Sequence, residues 1–340
     1  MTWNHRIVVR RHGGPDVLQM VEEDVPEPRP HEVRVKTMAA GVSAMDLMVR
    51  SHRFLGFPRV PFTPGVDVVG VVDALGSGVS TVEPGQTVAA LLGTEGGYAE
   101  HVCLPVDRAV PVPSGVDPAR AVCVVANYLT ASAMLHRAAE VRSGNRVLVQ
   151  GAAGGVGTAL LELGTLAGLE MYGTASTHNH ELVAALGATP IDYRTEDVVE
   201  RVRELTGGDG VDATFDPIGG ARQLWRSYRT LRKGGRLVWF GVAAASRLGV
   251  KVIPLSLLAR LVFSLIPDGK KAPMPPDAAD PNAWYRRTLA ELLELLEGGK
   301  IEPVVADRLP LADAARAHAL LERGGHAGKV VLIVPNGTGA

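Results

Sequence analysis

The fold of this chain is decided by the stretch RVLVQGAAGGVG, which runs from Arg146 to Gly157. Its first residues form a short apolar run, which is typical of a fully buried parallel strand. A glycine-rich turn follows at once, and residues 158–166 (TALLELGTL) have the apolar spacing of a helix. A strand, a glycine turn and a helix in this order favour a dinucleotide-binding site.

The turn has the chemistry that a pyrophosphate requires. The N-terminus of a helix offers unpaired N–H groups and the positive end of a dipole. Glycines let the backbone approach the phosphate and let the helix pack closely on the strand. The spacing is Gly-x-x-Gly-x-x-Gly rather than G-x-G-x-x-G, so a purely structural turn is the alternative. The expected cofactor contacts here are Gly151, Gly154, Gly155, Val156 and Gly157.

Length and composition limit the class of protein. The chain has 340 residues, enough for two domains, and its 46% hydrophobic and 21% charged residues permit a large core. The formal net charge is −1 and no block of like charge occurs, so nucleic acid is not an expected partner. The two cysteines, Cys103 and Cys123, exclude a disulfide scaffold and a four-cysteine zinc lobe and favour a reducing compartment.

Two segments of the sequence bear on where in the cell the protein is located. Residues 1–14 contain no apolar core of a secretory signal, and we expect a cytoplasmic protein. The longest apolar run, Val252 to Ile266, is too short for a membrane span and carries Arg260. We interpret it as a helix packed against a pocket or a subunit interface rather than as a membrane contact.

The periodicity changes along the chain. Residues 1–125 alternate like short strands and carry regular turn signals, which predicts a compact β-rich domain of barrel type. From 126 to 265 strands alternate with helices, which predicts a Rossmann-like, doubly wound parallel sheet. Residues 266–283 are rich in Pro, Asp and Lys and predict a loop insertion. Residues 284–340 are interpreted as a return segment that completes the first domain, so the fold class is α/β.

This organisation resembles the medium-chain dehydrogenase/reductase superfamily, and in particular its zinc-free quinone oxidoreductase branch. The resemblance covers nearly the whole chain and implies a GroES-like catalytic domain beside a Rossmann domain. Segments 127–131 (NYLTA) and 267–270 (PDGK) look most like the vesicle amine transport protein-like members. The other motifs that carry the resemblance are GVSAMD (41–46), PGVDVVG (64–70), the glycine turn (151–157), IDYR (191–194) and GKVVL (328–332).

Residue type bears on the question of zinc. Zinc-dependent relatives have a cysteine at the position of Ser43 and a histidine at the position of Val66. Valine cannot ligate a metal, and a serine hydroxyl is a poor substitute for a thiolate. Asp67 matches the acidic residue beside that histidine, but it cannot hold zinc alone. We therefore expect no metal, which disfavours alcohol oxidation because no Lewis acid would lower the pKa of the alcohol.

The residues after the second predicted strand favour NADPH. An NAD site usually has an acid about 20 residues past the glycines, but segment 174–180 (TASTHNH) contains none. Hydroxyls and imidazoles can donate hydrogen bonds to a 2′-phosphate, which a carboxylate would repel. The alternative is that these histidines are merely exposed residues at a helix start. The expected contacts are Ser176, Thr177 and His180 and, by resemblance, Tyr193 and Arg194.

The resemblance also implies that the nicotinamide lies near a further set of residues. Hydride transfer to a quinone or enone needs positioning more than an enzyme nucleophile, but the anion formed must be protonated. Ser43, Tyr128, the cofactor's own hydroxyl and water are possible donors. The alternative is that Asp46 only caps a helix. The candidate catalytic residues are Ser43, Tyr128 and Thr130, and the further expected cofactor contacts are Asp46, Thr130, Phe240, Gly241, Val242 and Lys329.

The favoured function is therefore an NADPH-dependent reductase of quinones or α,β-unsaturated carbonyls. We expect a homodimer joined at the sheet edge formed by residues 236–242, because unpaired strand edges invite association. Two alternatives stay open at this point. One is a zinc-free carbonyl or alcohol dehydrogenase, and the other is a non-catalytic NADPH-binding regulatory protein.

Overall fold

The computed structural model describes residues 3–53, 59–93, 96–245, 249–273 and 280–334. The chain divides into two compact units. Unit 1 consists of Met1–Leu129 and Ala278–Ala340, and unit 2 consists of Thr130–Asp277. The chain thus leaves the first unit and later returns to it, at limits four to six residues from those predicted at 125 and 284.

The elements follow in chain order. The strands are β1 (Trp3–Val9), β2 (Leu18–Asp24), β3 (Glu32–Val42), β4 (Asp67–Leu75), β5 (Thr87–Leu91), β6 (His101–Pro105), β7 (Val110–Pro111), β8 (Arg146–Val149), β9 (Glu170–Ala175), β10 (Ala188–Asp192), β11 (Val211–Asp216), β12 (Leu231–Trp239), β13 (Val305–Pro310) and β14 (Lys329–Ile333). The α-helices are α1 (Ala44–Arg50), α2 (Pro118–Cys123), α3 (Leu129–Ser132), α4 (Gly155–Leu166), α5 (His180–Ala185), α6 (Val198–Leu205), α7 (Ala221–Arg229), α8 (Val252–Ser264), α9 (Pro281–Glu297) and α10 (Ala314–Arg323).

Unit 1 is built around β3. This strand pairs antiparallel with β4, β6 and β14, and its alternate residues are buried in the core of the unit. The main sheet has the order β13-β14-β3-β4-β5-β7, and β1 and β2 form a separate antiparallel pair. Because β13 and β14 belong to the main sheet, the C-terminal segment completes this unit.

Unit 2 is a parallel sheet of order β10-β9-β8-β11-β12. This order is that of a doubly wound fold, in which the first strand lies at the centre. The interior of β8 is fully buried, as its apolar run predicts. The carboxyl ends of β8, β9 and β10 lie along one edge of the sheet, where ligands bind in this class of fold.

One predicted strand ends earlier than expected. The strand predicted over 236–242 stops at Trp239, because its partner β11 ends at Asp216. The Phe240 N–H makes the last bond of this ladder, to the Asp216 carbonyl oxygen at 3.1 Å. Gly241 lies so close to the preceding loop that a Cβ would come within 2.5 Å of the Pro217 carbonyl oxygen. In the return segment, β13 begins at Val305. Between β7 and β8, the short helix α3 lies between two π-helical turns, Val124–Tyr128 and Ala133–Ala138.

The apolar run after β12 forms α8, as expected. One face of this helix is buried, but Leu258, Leu261 and Leu265 are 58%, 61% and 76% exposed. Lys271 follows it and pairs with the outer edge of β12, through hydrogen bonds with Gly235 and Leu237 of 2.9 and 2.8 Å. Within the described segments, no helix combines the length and the apolar character needed to cross a membrane.

Candidate functional site

The glycine turn has the predicted strand, turn and helix. β8 ends at Val149, Gly154 is the N-cap residue, and α4 begins at Gly155. Gly151 has φ +64°, a conformation that residues with a side chain rarely adopt. Gly154 provides no capping side chain, so the first N–H groups of α4 are not satisfied by one.

The glycines of the turn have different steric roles. A Cβ on Gly157 would lie 2.3 Å from the Gly151 carbonyl oxygen and 2.7 Å from that of Ala152, so α4 can pack on the turn only with glycine here. A Cβ on Gly154 would meet, among the described atoms, only the Gly151 carbonyl oxygen, at 3.3 Å. Gly154 therefore leaves space in front of the N-terminus of α4. This space, with the helix N–H groups, fits a pyrophosphate.

A buried hydrogen-bond network holds the turn from behind. The Gly151 N–H donates to the Thr174 hydroxyl at 3.0 Å, and that hydroxyl donates to Oε1 of Gln150 at 2.9 Å. Nε2 of Gln150 donates to Ser227, whose hydroxyl donates to the Asp216 carboxylate at 2.6 Å. The network ties the turn to the ends of β9 and β11. The sequence contained no pattern that indicated it.

The residues expected near a 2′-phosphate lie together where β9 and β10 end. Ser176 and Thr177 follow β9, and His180 begins α5, with Nε2 3.4 Å from the Ala175 carbonyl oxygen. Tyr193 and Arg194 follow β10, and the guanidinium carbon of Arg194 lies 5.7 Å from the centre of the Tyr193 ring. This grouping follows from the parallel pairing of β9 and β10.

The same place holds an acid, which comes from the end of β10 rather than from segment 174–180. Asp192, the last residue of β10, accepts a hydrogen bond of 2.5 Å from the Thr177 hydroxyl and one of 2.9 Å from the Arg194 N–H. These bonds, the Thr177 hydroxyl first, hold the pKa of the Asp192 carboxyl below its usual value. A negative charge therefore lies beside the expected phosphate site. The position of Asp192 could have been predicted only from the register of β9 and β10, which pairs Asp192 with Ala175.

Ser43 and Asp46 form a capping box at the start of α1. The Ser43 hydroxyl donates to Oδ2 of Asp46 at 2.6 Å, and the Ser43 N–H donates to the same oxygen at 2.8 Å. Oδ1 of Asp46 accepts from the Gly65 N–H at 2.8 Å. Burial raises the pKa of Asp46 to about 6, although these hydrogen bonds oppose the shift. The Ser43 side chain is half-buried, whereas Asp46 is buried.

The other expected site residues lie in different surroundings. Tyr128 is 1% exposed and belongs to unit 1, whereas Thr130 is half-buried and begins unit 2. Phe240 and Gly241 are half-buried and Val242 is buried, just beyond the end of β12. Lys329 is buried in unit 1, where its ammonium donates to Asp67 at 2.8 Å. The charge of Lys329 is thus already neutralised by a carboxylate.

The positions that hold zinc ligands in related enzymes are occupied here by Val66 and Ser43. Val66 is buried, and the Ser43 hydroxyl is bonded to Asp46. In the part of the chain that the structure describes, no group of three or more His, Cys, Asp or Glu side chains could hold a metal ion.

Known proteins match both units. Residues 29–114 match the GroES-like domain of alcohol dehydrogenases, and residues 186–332 match the zinc-binding dehydrogenase model. The quinone oxidoreductase of Pseudomonas aeruginosa is 33% identical, with 96% of this chain and 99% of that protein covered.

Solved structures agree with these matches. The quinone oxidoreductase of Escherichia coli complexed with NADPH has a TM-score of 0.86 and 30% identity, over 97% of this chain and 99% of that one. The human synaptic vesicle membrane protein VAT-1 homolog-like protein has a TM-score of 0.84 and 26% identity, over 99% of both chains. The chain belongs to the medium-chain dehydrogenase/reductase superfamily, in its quinone oxidoreductase branch.

Proposed function

We propose that this protein is an NADPH-dependent reductase of quinones or α,β-unsaturated carbonyls. The observation that carries the proposal is the glycine turn, where the helix N-terminus and the space in front of Gly154 fit a pyrophosphate. The similarity to the quinone oxidoreductases of P. aeruginosa and E. coli supports the choice of substrate class.

The residues proposed to hold NADPH belong to unit 2. The N–H groups at the start of α4 bind the pyrophosphate, and Arg194 supplies a positive charge for the 2′-phosphate. The Ser176 hydroxyl and the imidazole of His180 donate further hydrogen bonds, and Thr177, whose hydroxyl is bonded to Asp192, contributes as a neighbour of the phosphate. When bound, NADPH supplies the hydride for the reduction. Asp192 opposes the phosphate, so the preference for NADPH over NADH depends on Arg194 outweighing this carboxylate.

The reduction also consumes a proton. A quinone, NADPH and one proton give a hydroquinone and NADP⁺, and the proton must reach an oxygen of the substrate. We propose Ser43 as the group that delivers it, because its half-buried hydroxyl is backed by a buried carboxyl group. Thr130 is a second hydroxyl proposed for this role.

A substrate panel tests the proposal. The purified protein should oxidise NADPH in the presence of quinones or enones, followed by the loss of NADPH absorbance. Turnover of simple alcohols instead would favour the zinc-free alcohol dehydrogenase. Tight NADPH binding without turnover of any substrate would favour a regulatory protein and would contradict the proposal.

We further propose a homodimer in the cytoplasm. Exposed apolar surface marks an interaction site, and here it is formed by Leu258 and Leu261 on α8 and by Leu265 just after it. Lys271 occupies part of the β12 edge, so the interface needs α8 in addition to strand pairing. Light scattering at micromolar concentration should give the mass of a dimer, and L258D/L261D should give that of a monomer. The free thiols of Cys103 and Cys123 suit a reducing compartment.

A further inference from the structure

A column of polar side chains runs through unit 1 from the half-buried Ser43 to the surface. Its inner members are fully buried, which is unusual for polar groups unless each has a partner. Its outer end is the pair of Arg50 with Glu322, whose carboxylate is partly exposed. From the inside to the outside, the column consists of Ser43, Asp46, Tyr98, His318, Arg50 and Glu322.

The direction of each hydrogen bond in the column follows from the chemistry of its members. A guanidinium can only donate, so Nδ1 of His318 must accept from Nη1 of Arg50, 3.1 Å away. A neutral imidazole then carries its proton on Nε2, which donates to the Tyr98 oxygen at 3.1 Å. Burial, with the Arg50 charge beside it, lowers the pKa of His318 to about 3, so the ring is neutral. The Tyr98 proton is therefore directed away from His318, and the Tyr98 hydroxyl interacts electrostatically with the Asp46 carboxylate.

At its inner end the column converges on one carboxyl group. Asp46 accepts from the Gly65 N–H and twice from Ser43, and its charge also acts on the Tyr98 hydroxyl. In the ionised state these bonds stabilise its charge, and the Ser43 proton points inward. In the protonated state Asp46 can donate to the Ser43 oxygen, which releases the Ser43 proton to point outward. The protonation of Asp46 thus decides whether Ser43 can donate a proton.

The simplest alternative is that Asp46 has a purely structural role, as the acid of the capping box at the start of α1. Such an acid needs bonds to Ser43 alone, and it is commonly exposed at the start of a helix. Asp46 is instead buried and takes an additional bond from outside the helix, from the Gly65 N–H, and its charge acts on the buried Tyr98 hydroxyl. The negative charge of Asp67, which is paired with Lys329, also raises the pKa of Asp46.

We propose that Asp46 is the source of the proton that Ser43 delivers, and that Tyr98, His318 and Arg50 are positioning residues for this carboxyl group. The inference rests on the proposed quinone reductase activity. As hydride reaches the substrate, the Ser43 O–H bond breaks and its proton moves to the substrate oxygen. The proton of Asp46 moves to Ser43, and water later restores it to the carboxylate. One proton is consumed for each hydride, as the overall reaction requires.

Kinetics over a range of pH test the inference. Activity should fall as the pH rises through the apparent pKa of Asp46, because only the protonated form donates. Asp46→Asn should lower kcat at least a hundredfold and abolish this dependence, with little change in the KM for NADPH. Tyr98→Phe keeps the ring and removes a hydroxyl dipole that interacts with the ionised carboxylate, so it should move the alkaline limb of the profile upward.

A second buried tyrosine of unit 1 provides the matched control. Tyr285 bonds the Leu91 N–H and the Arg108 carbonyl oxygen, so Tyr285→Phe loses comparable buried bonds elsewhere. Its pH profile should equal that of the parent. If Asp46→Asn does not fold, the shift of the Tyr98→Phe profile relative to this control decides the question.

The possible failures can be told apart. A parent protein that reduces no quinone or enone overturns the proposed function and, with it, this proton role. An active parent whose Asp46→Asn and Tyr98→Phe variants keep its kcat and its pH profile overturns the proton role alone.

Discussion

The ammonium of Lys329 lies 2.8 Å from Oδ2 of Asp67, and both side chains are almost completely buried. The same oxygen accepts from the Ala126 N–H at 3.2 Å. Gly41 makes room for the pair, since a Cβ there would lie 2.0 Å from Cε of Lys329. Three distant parts of unit 1 therefore meet at one ion pair.

Breaking this pair should destabilise the protein. Lys329→Met leaves the Asp67 carboxylate buried without its cation, and the expected loss in the free energy of unfolding is about 3–5 kcal/mol. Denaturation by urea measures it. The double variant with Asp67→Asn should recover part of the loss, because no charge is then left unpaired. Unchanged stability of Lys329→Met with weaker NADPH binding would instead make Lys329 a cofactor contact.

Substitutions in the glycine turn should separate its role in NADPH binding from its role in folding. Gly154→Val should fold, since its position has extended backbone and open space, yet it should bind NADPH at least tenfold more weakly, which is about 1.4 kcal/mol. Gly157→Val inserts a side chain against two carbonyl oxygens and should lose about 1–3 kcal/mol of stability or more. Circular dichroism and fluorescence titration measure the two effects. A folded Gly154→Val protein with parental NADPH affinity would show that the stretch is only a turn.

NADPH should bind more tightly than NADH, and Arg194 should carry much of the difference. A charge-assisted hydrogen bond contributes about 1.5–3 kcal/mol, so Arg194→Ala should weaken NADPH at least tenfold and NADH little. Lys233→Ala is the control, because Lys233 is an exposed cation near the start of β12, at the opposite end of the sheet. Equal weakening of both cofactors by Arg194→Ala would reject the role of Arg194.

Removing the charge of Asp192 should have the opposite effect. Asp192→Asn keeps an oxygen that can accept from Thr177 but no longer repels a 2′-phosphate, so the preference for NADPH over NADH should rise severalfold. Dissociation constants for the two cofactors measure this ratio. A fall in the ratio would mean that Asp192 acts by positioning Thr177 and Arg194 rather than through its charge.

The polar column predicts opposing effects of pH on stability. In the folded chain the pKa of His318 is about 3, whereas its ordinary value is 6.5. Between these two pH values only the unfolded chain takes up the proton, so the stability of the folded protein falls as the pH falls. Asp46 has a folded pKa of about 6 against 3.8, so only the folded chain takes up its proton, and stability rises as the pH falls. The two contributions cancel between about pH 4 and 6.

Single variants should reveal each contribution. From pH 6 to pH 5, Asp46→Asn should lose up to about 1.4 kcal/mol of unfolding free energy relative to the parent, and His318→Gln should gain a similar amount. Urea denaturation at the two pH values gives both numbers. Identical pH dependence in the parent and both variants would mean that neither group titrates as described.

Features that depend only on neighbouring residues could be predicted from the sequence alone. The apolar run, the glycines and the helix after them lie within about twenty residues, so their pattern predicted the turn and the parallel sheet around it. The expectation that no zinc is bound likewise came directly from the sequence, because it depends only on the residue types at Ser43 and Val66. Element ends were predicted less well where a distant element sets them, as at Trp239, where β12 stops because its partner β11 ends at Asp216.

Which distant side chains meet could be seen only in the folded protein. Tyr98 and His318 are separated by 220 residues, and Asp67 and Lys329 by 262. Asp192 reaches Thr177 because β9 and β10 pair in parallel with a particular register. Periodicity indicates which face of an element is buried, but it does not indicate which buried polar group lies opposite it. That depends on strand order, register and packing, which arise only when the chain folds.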